Sequence, residues 1–206
     1  MPIILHHHPY SRAANVVWML EEVGVPYDLN FVDIMAGVQK GPEHRALNGM
    51  GKVPVLVDGD AVVSETAAIA VYLADRYALG RLAPALDDPR RGAYLRWCFY
   101  APSVIEPGCA AKANGWEGRP GALGWGTYEE MLATLEAGLA PGPWLLGDQF
   151  TMADVVVGGT LRFMLSFKMI EARPSFVEYA ARLGERAANV AAAARNAAVK
   201  AERGLK

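Results

Sequence analysis

The sequence predicts an α+β protein of two domains, and three observations carry that expectation. Apolar patterning runs as βαβ and then ββα up to about residue 79, a stretch bearing Gly, Pro and Asp follows, and every later pattern is helical or loop. The first domain is expected over 1–79, a linker over 80–89 and an all-helical domain over 90–206. Ile3 to His7 reads as a short strand closed by Pro9, and Ser11 opens a helical pattern in which Ala13, Val16, Val17, Leu20 and Val23 share a face until Gly24 and Pro26 end it. Tyr27 to Asp33 alternates as a second strand, so strand, helix and strand form a parallel crossover unit. Met35 to Gly51 is a polar loop. Val53 to Val57 and Ala61 to Ser64 flank the turn Asp58-Gly59-Asp60 as an antiparallel pair, and Glu65 to Tyr77 is a helix.

In the second region Tyr94, Trp97, Cys98, Ala101 and Ile105 fall on one helical face, with Pro102 expected to kink it. Met131, Leu132, Leu135 and Leu139 make another helix. Thr151-Met152-Ala153-Asp154 is a capping box, and the helix it starts is apolar nearly all round, which places it at the centre of its domain. Phe176, Tyr179 and Leu183 mark one more helix, and the last stretch is Ala-rich.

Hydrophobic residues make up 52% of the 206, charged residues 20%, and the formal net charge is −2. That balance fits a soluble globular chain and gives no electrostatic reason to expect nucleic acid or an anionic membrane as partner, so a small molecule is the default. Cys98 and Cys109 form no C-x-x-C pair and are expected to be reduced and buried. The start Met1-Pro2-Ile3-Ile4-Leu5 lacks a basic leader and no long apolar run follows, which points to the cytoplasm.

Four local motifs carry chemistry or its scaffold: His8-Pro9-Tyr10-Ser11-Arg12 at the first strand–helix junction, Gly51-Lys52-Val53-Pro54 before a strand, Ser64-Glu65-Thr66 at a helix start, and Phe150-Thr151-Met152-Ala153-Asp154. In this order, and on a βαβ–ββα unit, they resemble the cytosolic glutathione S-transferase family, in its serine-type, phi-like bacterial form, whose first domain has a thioredoxin-like fold. Arg173-Pro174-Ser175-Phe176 extends the resemblance into the second domain.

The resemblance implies a glutathione site built residue by residue. Ser11 takes the place of the serine that stabilises the thiolate: a hydroxyl at a helix start donates to an anion, and the helix dipole lowers the thiol pKa further. A serine there is equally an ordinary N-cap. Tyr10 is the alternative donor, or a packed aromatic, while the position of the tyrosine-type donor holds His7. Val53, ahead of a cis Pro54, would offer its N–H and C=O to the cysteinyl backbone of glutathione, and the other reading of Pro54 is the start of an edge strand. Glu65 and Thr66 suit the ammonium and carboxylate of the γ-glutamyl group, or cap the helix. Gln39, Lys40 and Lys52 align with the residues that reach the glycyl carboxylate, although charged loop residues are often only solvated.

The implied reaction is attack of the glutathione thiolate on a small hydrophobic electrophile held between the domains of a homodimer, a detoxification chemistry in which glutathione is co-substrate and no metal takes part. An isomerase, dehalogenase or peroxidase would reuse the same thiolate, and a non-catalytic glutathione-binding or scaffold protein would share the fold. The complete set of Ser11, Val53-Pro54 and Glu65-Thr66 argues against a scaffold. The electrophile pocket is expected to draw on Tyr94, Trp97, Ile105 and Trp116, which core packing explains equally well. His6, His7 and His8 suggest a metal site, but successive strand residues point to opposite faces, so at most His6 and His8 share one. Gly118 to Gly126 follows no strand and matches no phosphate-binding pattern.

Overall fold

The computed structural model describes residues 2–205. It divides into two compact units, one running up to Tyr77 and resuming at Arg186, the other Ala78–Glu185. The first unit holds β1 (Ile3–His7), α1 (Ala13–Val23), β2 (Tyr27–Phe31), α2 (Pro42–Leu47), β3 (Val55–Asp58), β4 (Ala61–Ser64) and α3 (Thr66–Tyr77). The four strands form one sheet in the order β2-β1-β3-β4, with β1 parallel to β2 and antiparallel to β3. The βαβ–ββα expectation is therefore realised. Leu5, Val16, Val17, Leu20, Leu56, Ile69 and Leu73 are fully buried, and each large apolar side chain so placed stabilises the unit by about 1.5–3 kcal/mol.

Three departures from the expected elements have local causes. β2 stops at Phe31 because the Asp33 carboxylate accepts from the N–H groups of Met35 and Ala36, both at 3.0 Å, and turns the chain. β3 begins at Val55 instead of Val53, since Pro54 has no N–H to give the ladder. The expected loop from Met35 to Gly51 contains a 3₁₀ turn at Val38–Lys40 and α2. A start signal for α2 was present in Gly41-Pro42, because proline at the first helical position lacks only an N–H that would be unpaired anyway.

The second unit is all helix and loop: α4 (Arg91–Tyr100), a π-helical turn at Ala101–Ile105, α5 (Glu106–Asn114), α6 (Tyr128–Leu139), α7 (Met152–Ser166) and α8 (Pro174–Gly184). The kink expected at Pro102 takes the form of that π turn, between residues that keep helical backbone angles. α7 is buried along most of its length, as its all-round apolar sequence requires. It packs closely on α8, where a Cβ at Gly158 would collide with Leu183 Cδ1. The box at its start is closed by Asp154, whose carboxylate accepts from Thr151 N–H (2.8 Å), Leu145 N–H (2.9 Å) and Tyr179 Oη (2.9 Å). Burial pushes the Asp154 carboxyl up, and those donors pull it the other way.

α9 (Ala187–Glu202) was expected with the helical domain, but it packs on α1 in the first unit. Its anchors are polar. The buried Glu22 carboxylate accepts from Arg186 Nε (2.6 Å) and Nη2 (2.8 Å) and from Trp18 Nε1 (2.9 Å). Asn196 donates to the carbonyls of Ala14 (3.3 Å) and Ala192 (2.9 Å) and accepts from His7 Nε2 (2.7 Å). An alanine-rich helix approaches its neighbour closely but presents no broad stripe of large apolar side chains, so its sequence does not say which partner it takes.

Candidate functional site

Strand register brings the motifs of the first unit to one end of its sheet. His6 pairs with Val55 and Val55 with Ser64. The β1–α1 turn, the segment ahead of β3 and the junction from β4 into α3 therefore lie side by side, opposite the Asp58–Ala61 turn. Gln39 and Lys40 join them: a Cβ on Gly51, whose φ is +57°, would stand 2.8 Å from the Gln39 carbonyl oxygen and 3.1 Å from Lys40 Cδ. Only glycine fits that close approach in a left-handed conformation.

Ser11 sits in the turn ahead of α1, not in the helix itself, and Arg12 takes the cap position. Its hydroxyl donates to the His8 carbonyl at 2.8 Å and accepts from Ala13 N–H at 3.1 Å. The hydroxyl thus closes its own turn one residue ahead of the cap position, and the O–H must rotate off His8 to serve an anion. Tyr10 is 40% exposed and its ring carries Lys200 Nζ of α9 at 4.6 Å from the centroid. His7, at the end of β1, and the following His8 are buried behind the turn, and burial lowers both imidazole pKa values.

The Val53–Pro54 bond is cis. Pro54 is buried and Val53 half-buried. Among the described residues no backbone group pairs with Val53 N–H or C=O. Glu65 is exposed with φ at +69°, an unusual left-handed conformation for a side chain of this size, and its carbonyl accepts from Ile69 N–H at 2.9 Å as α3 begins. Backbone strain of this kind costs about 1–3 kcal/mol and concentrates at functional sites. Thr66 opens α3, half-buried. Gln39 donates to the Ile34 carbonyl at 3.3 Å and keeps a buried, unpartnered Oε1, while Lys40 donates to the Met50 carbonyl at 3.1 Å. Lys52 is exposed.

Comparison with known proteins bears on the family and the fold. Residues 9–76 match the family described as "Glutathione S-transferase, N-terminal domain" and residues 111–182 its C-terminal counterpart. Glutathione S-transferase 2 of Schizosaccharomyces pombe is 32% identical over 165 residues, covering 73% of this chain and 72% of that protein. Glutathione S-transferase 3 of Zea mays is also 32% identical, over 74% of each chain. A glutathione transferase of Phanerochaete chrysosporium, crystallised with oxidized glutathione, superimposes with a TM-score of 0.79 at 26% identity, over 96% of this chain and 97% of that one.

The chain belongs to the glutathione S-transferase family.

In this glutathione transferase the expected electrophile wall falls apart by burial. Tyr94, Trp97 and Ile105 are core residues of the second unit. Trp116 is 64% exposed and lines a separate cleft with Trp125 and Leu123. The motif reading also passed over His44 and Asn48, both buried. His44 Nε2 and Asn48 Nδ2 donate to one acceptor, the Lys52 carbonyl, at 2.9 and 3.1 Å. The available signal was a histidine and an asparagine four apart, ahead of the glycine turn; it went unread because α2 went unread. Lys200, in a tail that offered no motif, was missed for the same lack of pattern. Among the described residues no group of three or more His, Cys, Asp or Glu is arranged to hold a metal ion, and no helix is long and apolar enough to cross a membrane.

Proposed function

We propose that this glutathione transferase binds glutathione at the sheet end described above and directs its thiolate at small hydrophobic electrophiles. The observation that carries the reading is Val53: an N–H and a C=O free of backbone partners, beside a strand, is the pattern that a tripeptide completes by β-augmentation. In this reading Glu65 and Thr66 take the γ-glutamyl group, and Gln39, Lys40 and Lys52 face the glycyl carboxylate. Gln39 can serve that carboxylate only through Nε2, which donates to the Ile34 carbonyl at 3.3 Å, so its amide must turn for the ligand. Ser11 donates to the sulfur, with Tyr10 as the alternative donor. Lowering the thiol pKa from about 8.5 towards neutrality raises the thiolate fraction, and holding the sulfur in place supplies orientation. No covalent enzyme intermediate is needed. The protein acts as a homodimer in the cytoplasm.

Calorimetric titration with glutathione, followed by an assay with an activated aryl halide, tests this. Saturable binding at one site per chain and glutathione-dependent loss of halide are expected. Absence of glutathione binding by the folded protein would overturn the reading.

A further inference from the structure

His44 and Asn48 spend their side-chain donors on the same backbone oxygen, and the identity of that oxygen gives the pair a role. The Lys52 carbonyl belongs to the same planar peptide unit as the Val53 N–H. In a trans unit the two groups point in opposite directions, so a carbonyl held towards α2 aims the Val53 N–H away from it. From the fold of the first unit and the reading of Val53 above, on which this step rests, we infer that His44 and Asn48 are positioning residues for glutathione, fixing the direction of the N–H that receives the cysteinyl carbonyl.

The surrounding contacts are those of a device that holds one plane. Both side chains are buried, at 5% and 8% exposure, which removes competing water. Asn48 Oδ1 accepts from Met50 N–H at 3.1 Å and the Asn48 carbonyl from Gly51 N–H at 2.7 Å, so the amide orientation is fixed by its own turn and Nδ2 is left to face Lys52. The Lys52 oxygen forces His44 to donate through Nε2. The His44 ring is backed edge-on by His6 of β1 at 5.6 Å between centroids. The two donors fill both lone pairs of the Lys52 oxygen, and together they restrict rotation of the peptide.

Steady-state kinetics on His44→Phe, His44→Gln and Asn48→Asp test the inference. Phe keeps the ring and removes the donor; Gln keeps a donor without the ring; Asp keeps the acceptor for Met50 N–H and loses the donor to Lys52. His44→Phe and Asn48→Asp are expected to raise the KM for glutathione about tenfold, equivalent to roughly 1.4 kcal/mol. The kcat at saturating glutathione and the KM for the halide should stay within about twofold, and His44→Gln should recover most of the glutathione KM. Should His44→Phe fail to fold by circular dichroism, Asn48→Asp decides alone. Wild-type KM for glutathione in the folded donor-deleted variants, or a fall in kcat together with both KM values that Gln does not rescue, would overturn it. Wild-type protein that binds no glutathione would instead remove the reading beneath it.

Discussion

The start of α7 and the segment ahead of β3 are both places where buried polar groups converge, and they end differently. At α7 the Asp154 carboxylate gathers Thr151, Leu145 and Tyr179 and the set closes on itself inside the protein. Ahead of β3, two donors converge on the Lys52 carbonyl, and the next backbone groups in line, those of Val53, are left open. Closed polarity holds a helix in place. Polarity arranged around an open pair prepares a surface for a ligand with a backbone of its own. The Ser11 turn lies between these cases: its hydroxyl is satisfied by its own turn, yet one rotation frees the proton.

The sharpest way to break the contrast is Asp154→Ala. It strands several buried donors at once, and a loss of about 3 kcal/mol or more in urea unfolding is expected, with glutathione affinity of the folded fraction unchanged within about twofold. A cost under about 1 kcal/mol would mean that the α7 set is not the structural hub described here.

Gly51→Ala probes the open segment from behind. It introduces a Cβ 2.8 Å from the Gln39 carbonyl in a left-handed conformation, so about 1–3 kcal/mol of stability should be lost. Unlike Asp154→Ala, it should also weaken glutathione binding, because the Gln39–Lys40 turn must move. Calorimetry on the folded variant checks this.

Acid acts on the histidines behind the turn. His7 is buried with its pKa lowered from 6.5 by desolvation, so the unfolded chain takes up the proton first. Its contribution to stability is complete above pH 6.5 and is lost as pH falls from there through the lowered folded pKa. Urea midpoints measured between pH 7.5 and about 4.5 should fall, and His7→Gln should flatten the slope.

Glu65→Gly gives the smallest effect on stability and the opposite sign. Relief of the left-handed conformation at Glu65 offsets glycine's greater unfolded-state freedom, so the stability from urea unfolding should stay level or rise by up to about 1 kcal/mol. Glutathione affinity should fall. A variant that is both stabilised and fully competent in binding would show that the strain serves no ligand.

How much of this was readable in the sequence follows from how local each determinant is. The alternation of β1 to α3 and the box at Thr151 were legible, because period and capping chemistry are written in neighbouring residues. The Val53-Pro54 and Glu65-Thr66 pairs were legible as motifs. Their adjacency became visible only through the pairing of Val55 with Ser64. α2 was hidden because six residues give too little periodicity, and with it went His44 and Asn48. The placement of α9 was hidden because its anchors reach back more than a hundred residues to Glu22 and His7. Tyr94 and Trp97 illustrate the converse: aromatic residues on a helical face looked equally like a pocket and a core, and burial made them core.

The proposed site is tested most directly by titrating the thiolate absorbance of bound glutathione in wild type, Ser11→Ala and Tyr10→Phe. The thiol should ionise well below about 8.5 in wild type and in Tyr10→Phe, and return towards that value in Ser11→Ala while glutathione remains bound. Identical titration of bound glutathione in wild type and Ser11→Ala would contradict the assignment of Ser11 as donor, and a shift confined to Tyr10→Phe would move that role to the neighbouring phenol.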